Sequence, residues 1–222
     1  MTLPRPVEAV AFDMDGLLVD SEGVYHRVKL AVSAEMGRQV APAVFLSMIG
    51  TTYQVSVDIM LQACGRDFDV RAFDTEVERR VSATPIPLKA GVLELMDALD
   101  AGGLPFALVT NSSRTAIEER VAPHGVLHRF SALVFGGEAP RGKPHPDPYL
   151  LAAQRLGVRP QACLALEDSY NGVRAAVAAG MMTVMVPDLL DANDEMRGAA
   201  LRIERDLQAV CALIAGAAGR RP

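Results

Sequence analysis

The spacing of apolar residues changes several times along the chain. From 7 to 12 (VEAVAF) they run almost unbroken, as in a strand buried on both faces. The run stops at Asp13, a second acid follows at Asp15, and Gly16 bends the chain before another apolar run. From Ser21 to Gly37 the spacing turns helical, with Val24, Val28, Ala31, Val32 and Met36 on one face and Gly37 placed to cap the end. Shorter helical patterns follow at Val44 to Met48, Val55 to Ala63 and Val70 to Ala83, with no strand pattern among them, and Pro85 and Pro87 mark the exit.

Beyond the prolines, strands and helices alternate. Strands are predicted at Pro105 to Thr110, Leu133 to Phe135, Ala162 to Leu166, Thr183 to Val186 and, briefly, Leu201 to Ile203. Helices are predicted at Gly91 to Asp100, Arg114 to Ala122, Asp147 to Leu156 with Pro146 as its first residue, Tyr170 to Ala179 closing at Gly180, and Asp206 to Ala215. This order predicts an α/β fold, a doubly wound parallel sheet covered on both faces, with an inserted small α-helical cap domain. The expected core domain is 1–20 and 88–222, and the expected cap is 21–87. An insert entering just after the first strand could cover whatever sits at that strand's end.

Composition narrows the picture. The chain has 222 residues, half of them apolar, enough for one large domain with an insert. A net charge of -5 argues against nucleic-acid or anionic-membrane partners but allows a compact anionic substrate. Cys64, Cys163 and Cys211 are odd in number and lack CxxC spacing, so neither a disulfide framework nor a zinc site is expected and a reducing, cytoplasmic setting fits. No stretch suggests a signal peptide, and the longest uncharged run, 175–187, is too short for a membrane span. Lysine is scarce: Lys29, Lys89 and Lys143 stand against nineteen arginines. A lysine in an unusual loop therefore stands out.

The strong strands end in polar residues of a particular kind. The first ends at Asp13 and Asp15, the second at Thr110, Asn111 and Ser112, and the fourth at Glu167 and Asp168, while Lys143 lies in a Gly-Lys-Pro loop. Parallel strands can bring such ends to one rim. Acids from separate strands suit a hard divalent cation such as Mg²⁺, and a hydroxyl, exposed amides and a lysine suit phosphate oxygens. Together they suggest phosphoryl transfer. Taken singly, each has a plainer explanation as a helix N-cap, a turn or a solvated charge.

The four motifs are DMDG at 13–16, VTNSS at 109–113, GKP at 142–144 and LEDS at 166–169. In this order and spacing the chain resembles the haloacid dehalogenase superfamily, with its Rossmann-like core, and within it the helical-cap group of β-phosphoglucomutase and phosphoglycolate phosphatase. The resemblance covers nearly the whole chain, including the DSE at 20–22 that opens the cap. It implies that Asp13 attacks phosphorus to form an aspartyl phosphate and that Asp15 is the general acid and then the base. It further implies that Thr110 and Asn111 hold the phosphate and that Lys143 neutralises it and fixes Asp13. Asp13, the backbone carbonyl of Asp15, Asp168 and Glu167 would surround Mg²⁺. Asp15 must start protonated, and crowding by neighbouring carboxylates is expected to favour that state.

The expected activity is a Mg-dependent phosphatase for a small phosphorylated metabolite, such as a sugar phosphate or a phosphoglycolate-like compound. The chain would act as a monomer or weak homodimer. A dehalogenase has no use for Asp15, and a phosphonatase would need a cap lysine, where only Lys29 is on offer. A phosphomutase is the nearer rival, but Tyr53 stands where its pattern has an arginine. A receiver-like phosphate switch would lack the helical insert and the second acid. Candidates for substrate contact are Glu22, His26, Gly50, Thr51, Tyr53, Ser112 and Arg114.

Overall fold

The computed structural model describes residues 3–49 and 51–218. The chain divides into two compact units, one made of 1–19 and 88–222 and the other of 20–87. In chain order, strand β1 is Ala9–Phe12, and the helical unit then supplies α1 (Ser21–Glu35), α2 (Pro42–Leu46), α3 (Tyr53–Cys64) and α4 (Val70–Ser82). The remainder runs α5 (Val92–Ala101), β2 (Phe106–Val109), α6 (Arg114–Arg120), β3 (Ala132–Val134), α7 (Asp147–Leu156) and β4 (Cys163–Glu167). It closes with α8 (Tyr170–Ala178), β5 (Met182–Met185), α9 (Asp194–Ala199), β6 (Arg202–Ile203) and α10 (Leu207–Ala218).

The six strands form one parallel sheet in the order β3-β2-β1-β4-β5-β6. The doubly wound α/β fold expected from the alternation is therefore present. In this order the chain reverses direction across the sheet at β1 and β4, which is where ligands gather in such folds. The register aligns Phe12 with Leu166 and with Leu108, so Asp13 and Glu167 leave adjacent strands side by side.

Strand composition explains the two covering layers. Ala9, Ala11, Ala107 and Ala165 are fully buried on one face, and their small side chains admit Tyr149, Ala152 and Ala153 of α7 and Ala175 and Ala176 of α8. The alternate positions carry larger groups. Phe12, Phe106 and Phe130 meet edge-to-face, with centroids 5.8, 6.1 and 5.2 Å apart. The helical unit has its own core of Val24, Val32, Phe45, Met48, Met60, Cys64, Phe68, Phe73, Val77 and Val81.

Differences from the expected elements are local. Pro146 stands at the N-cap of α7, not at its first position, and Pro148 occupies the first turn instead. Helix α9 was not expected, because only Met196 among its six residues is buried and no periodic apolar face announces it. Its start is set by Asn193, whose side chain accepts from the Met196 amide at 2.9 Å. Helix α6 ends two residues early and passes into a 3₁₀ turn at Ala122–His124. Among the described residues no helix is long and apolar enough to cross a membrane.

The aromatic triad gives a stability test. Phe106 is 1% exposed, and Phe106→Ala should cost about 3–5 kcal/mol in urea unfolding, because a β-strand position between two rings cannot collapse to fill the space.

Candidate active site

The site grows from the ends of β1, β2 and β4. Asp13 follows β1 directly, and its amide donates to the Leu166 carbonyl at 3.0 Å, which locks it beside β4. It is 6% exposed. Lys143 reaches it from the 142–144 loop, and the ammonium donates to Asp13 Oδ1, to Glu167 Oε1 at 2.6 Å and to the Val109 carbonyl at 2.8 Å. Those three contacts use the three protons of the ammonium. Asn111 holds the loop in place: its Oδ1 accepts from the Lys143 amide at 2.9 Å and its Nδ2 donates to the Lys143 carbonyl at 3.1 Å.

Glu167 is fully buried and heavily bonded. Besides Lys143, Oε1 accepts from the Tyr149 hydroxyl at 2.5 Å, and Oε2 accepts from Ser169 Oγ at 3.1 Å. Ser169 also caps α8 by accepting from the Gly172 amide at 3.1 Å. A Cβ at Gly172 would lie 1.9 Å from the Glu167 carboxylate, so only glycine lets the helix start and the acid share that space. Gly16 does the same for Asp168, whose Oδ2 is 2.2 Å from where its Cβ would be.

Charge is crowded here, and the pKa values reflect it. Asp13 is pushed up to about 7, first by burial and then by Glu167, against the pull of Lys143. One ammonium shared between two carboxylates does not fully compensate either. Asp168 is raised well above the usual carboxylate range by burial, Asp13 and Glu167. Burial alone would lower Lys143, but Asp13 and Glu167 together raise it. Tyr149 is raised by burial and by Glu167, which keeps its hydroxyl a donor.

Asp13, Glu167 and Asp168 offer carboxylate oxygens that all lie within 4.8 Å of one another. Asp168 Oδ1 is buried with no hydrogen-bond partner. Three acids against one ammonium, with a buried acceptor left over, fit a divalent cation. Glu167 is the least available of the three, because Lys143, Tyr149 and Ser169 already engage both of its oxygens.

Asp15 has different company from that expected. Its Oδ1 accepts from Arg120 Nη1 at 2.7 Å and its Oδ2 from Ser112 Oγ at 2.7 Å, with Thr110 Oγ1 further off at 3.5 Å. A guanidinium therefore touches its carboxylate, in addition to the nearby Asp13 that carboxylate crowding had implied. Thr110 is buried and its Oγ1 accepts from the Ser112 amide at 2.9 Å, while Ser113 caps α6 by accepting from Ala116.

The structure therefore brings together Asp13, Asp15, Thr110, Asn111, Ser112, Lys143, Glu167 and Asp168. Arg114 is not among them; it pairs with Glu118 one turn along α6 on an exposed face. Glu22 and Tyr53 line a cavity of about 430 Å³ inside the helical unit, where the Tyr53 hydroxyl donates to Asp74 at 2.9 Å. In the same unit His26 bonds the Pro42 carbonyl at 3.3 Å and packs edge-on against Phe45, and Thr51 Oγ1 donates to the Met48 carbonyl at 2.8 Å. Gly50 lies outside the described residues. Sequence reasoning missed Arg120 and Tyr149. Arg120 is one of nineteen arginines and Tyr149 occupies an ordinary apolar position of α7, so no sequence signal separates them.

The chain is similar to several known proteins. The family model for haloacid dehalogenase-like hydrolases matches residues 7–180. Hexitol phosphatase B of Escherichia coli (strain K12) is 35% identical over 202 residues, covering 87% of this chain and 90% of its own. A phosphorylated carbohydrates phosphatase of Thermotoga maritima is 30% identical, covering 79% and 82%. A HAD family hydrolase from Deinococcus radiodurans R1, solved with bound phosphate and sodium, superposes with TM-score 0.84 at 32% identity over 96% of this chain and 97% of its own.

Two outcomes follow from the charge cluster. Lys143→Met leaves Asp13 and Glu167 buried without their shared cation, and should cost about 3–5 kcal/mol of unfolding free energy. In EDTA, stability should fall as pH rises. The folded value of Asp13, about 7, exceeds its ordinary 3.8, so between those values the folded state holds a proton that the unfolded chain releases. The contribution is complete below about 3.8 and lost on passing 7. Melting temperatures between pH 5 and 7 read it directly, and a rise over that interval would contradict the arrangement.

Proposed function

The chain belongs to the haloacid dehalogenase-like hydrolases, and on that premise we propose that it is a Mg²⁺-dependent phosphatase of a small phosphorylated carbohydrate. The observation that carries the reading is Asp13 held against Lys143 at the strand reversal, with Asp168 presenting an unpartnered oxygen beside it. The named phosphatases among the relatives support the substrate class.

Asp13 is the nucleophile. It must be ionised, and Lys143 together with a cation would offset the buried negative charge that otherwise favours its protonated form. Asp13, Asp168, the backbone carbonyl of Asp15 and Glu167 would hold the cation, which would supply charge neutralisation for the phosphoryl oxygens. As the Asp13 oxygen bonds to phosphorus, the ester oxygen leaves and takes a proton from Asp15. The product is the free alcohol and an aspartyl phosphate on Asp13. Asp15, now a carboxylate, then takes a proton from water as the water oxygen bonds to phosphorus and the Asp13 oxygen departs. Phosphate leaves and both acids return to their starting states.

The contacts of Asp15 suit this alternation. Arg120 fixes Oδ1, while Oδ2 faces Ser112 and Thr110 hydroxyls, which can accept a hydrogen bond as readily as they donate one. A proton on Oδ2 is thus accommodated without moving the carboxyl group. Thr110, and the backbone amides that follow β2, would bind phosphate oxygens. The Asn111 side chain contributes indirectly, through the Lys143 loop it holds.

Incubation with a panel of sugar phosphates and Mg²⁺ tests the reading. Inorganic phosphate should be released from at least one, and EDTA should stop the release. Asp13→Asn should lower the rate by about 10⁴ or more, and Asp15→Asn by about 10²–10⁴. The aspartyl phosphate should also persist longer in Asp15→Asn. Isomerised sugar phosphate with no phosphate released would make the protein a mutase instead.

A further inference from the structure

Asp188, just beyond β5, is an acid that no part of the proposed chemistry uses. Its side chain is 10% exposed, and its Oδ1 accepts from Lys89 at 2.5 Å. Its Oδ2 is buried without a hydrogen-bond partner. The only other buried carboxylate oxygen in that condition among the described residues is Asp168 Oδ1. The two acids face one small space. The position of a Cβ on Gly16 would lie 2.2 Å from Asp168 Oδ2 and 3.3 Å from Asp188 Oδ2. Gly16 itself has φ +86°, a conformation that disfavours any side chain, so the turn leaves the space between the two acids open.

A buried carboxylate oxygen with nothing to accept from is costly and calls for a donor. The salt bridge to Lys89 satisfies one oxygen of Asp188 and leaves the other beside Gly16, close to Asp168 Oδ2. Magnesium dehydrates reluctantly and keeps several waters beside one or two carboxylates, and each of those waters carries protons that need acceptors.

We propose that Asp188 is a positioning residue for the cation site, its Oδ2 accepting a hydrogen bond from a water on the cation held by Asp13 and Asp168. The inference rests on the metal-dependent reading above. Lys89 engages only the opposite oxygen, so Oδ2 stays available to that water whether or not the salt bridge is present. Asp188 is not itself a ligand; it orients what the ligands hold.

Calorimetric titration of Mg²⁺, and spin-resonance titration of Mn²⁺, into the EDTA-stripped and dialysed full chain test this without reference to turnover. Asp188→Asn should weaken binding about 10-fold or more, with the melting temperature in EDTA measured alongside. Lys89→Met removes the same salt bridge but keeps the carboxylate, and should bind within about threefold of the unaltered chain or more tightly. Repeating the titrations at about 0.1 and 1 M KCl separates a contact from a remote charge, because only the latter is screened away. Should Asp188→Asn not fold, Asp188→Ser reads the same quantity.

Equal weakening in the Asp188 and Lys89 variants would make the pair a structural tie and overturn the proposal. So would unchanged affinity in Asp188→Asn, or an effect that vanishes at high salt. If the unaltered chain binds no divalent cation at all, the metal-dependent reading itself fails, and the proposal with it.

Discussion

One ammonium between two buried carboxylates is the constraint around which the core is arranged. Lys143 has 5% of its side chain exposed, and the Asp13 and Glu167 side chains 8% and 0%. Burial at that level makes each charge costly unless its partners are fixed, since a small displacement would leave an acid uncompensated. The surrounding contacts remove that freedom. Val109 accepts the third proton of the ammonium, Asn111 clamps the backbone at Lys143, and Tyr149 and Ser169 occupy the remaining capacity of Glu167. The arrangement still carries one negative charge too many, and burial first, with that excess second, raises Asp13 to about 7 despite its contact with a lysine. That excess charge is what a divalent cation held by Asp13 and Asp168 would offset.

The fold supplies the positions at low cost. Strands in parallel register deliver residues to one rim without any loop having to find its way there, and the pairing of Phe12 with Leu166 sets Asp13 beside Glu167. Helix starts do further work at the same rim. Ser113 and Ser169 cap α6 and α8, so the residues between strand end and helix are held at both sides. Glycine appears where two groups must occupy nearly the same space, at Gly16 against Asp168 and at Gly172 against Glu167.

Much of this was legible in the sequence, for reasons that can be named. Acids closing an apolar run, a hydroxyl-rich turn after a second strand and a lysine between glycine and proline are local patterns, and each local pattern survived as a strand end or a loop. The scarcity of lysine also carried information: Lys143 and Lys89 both form ion pairs with well-buried acids. What was not legible depends on contacts between distant segments. Arg120 meets Asp15 across 105 positions and Lys89 meets Asp188 across 99, and even where the base is a rare lysine, aspartate is too common for its partner to be picked out. Tyr149 is a helix-face residue until the sheet brings Glu167 to its hydroxyl. The expected environment of Asp15 was incomplete for the same reason, since it left out the guanidinium that reaches it from α6.

The helical unit follows a different logic. Its polar side chains are mostly partnered within the unit, as in Tyr25 with Glu78, Tyr53 with Asp74, and Arg80 with both Glu35 and Glu76. Its cavity is floored by Phe45, Met48 and Phe73 and bears Glu22, Asp74 and Glu78 against the single ammonium of Lys29. Carboxylates and tyrosines on an apolar floor can accept from and donate to hydroxyl groups, whereas a second phosphate entering that cavity would face net repulsion. The two units thus differ in their electrostatics: the core concentrates buried acids around Lys143, whereas the helical unit pairs its charges near its surface, as in Arg79 and Arg80 with Glu35 and Glu76.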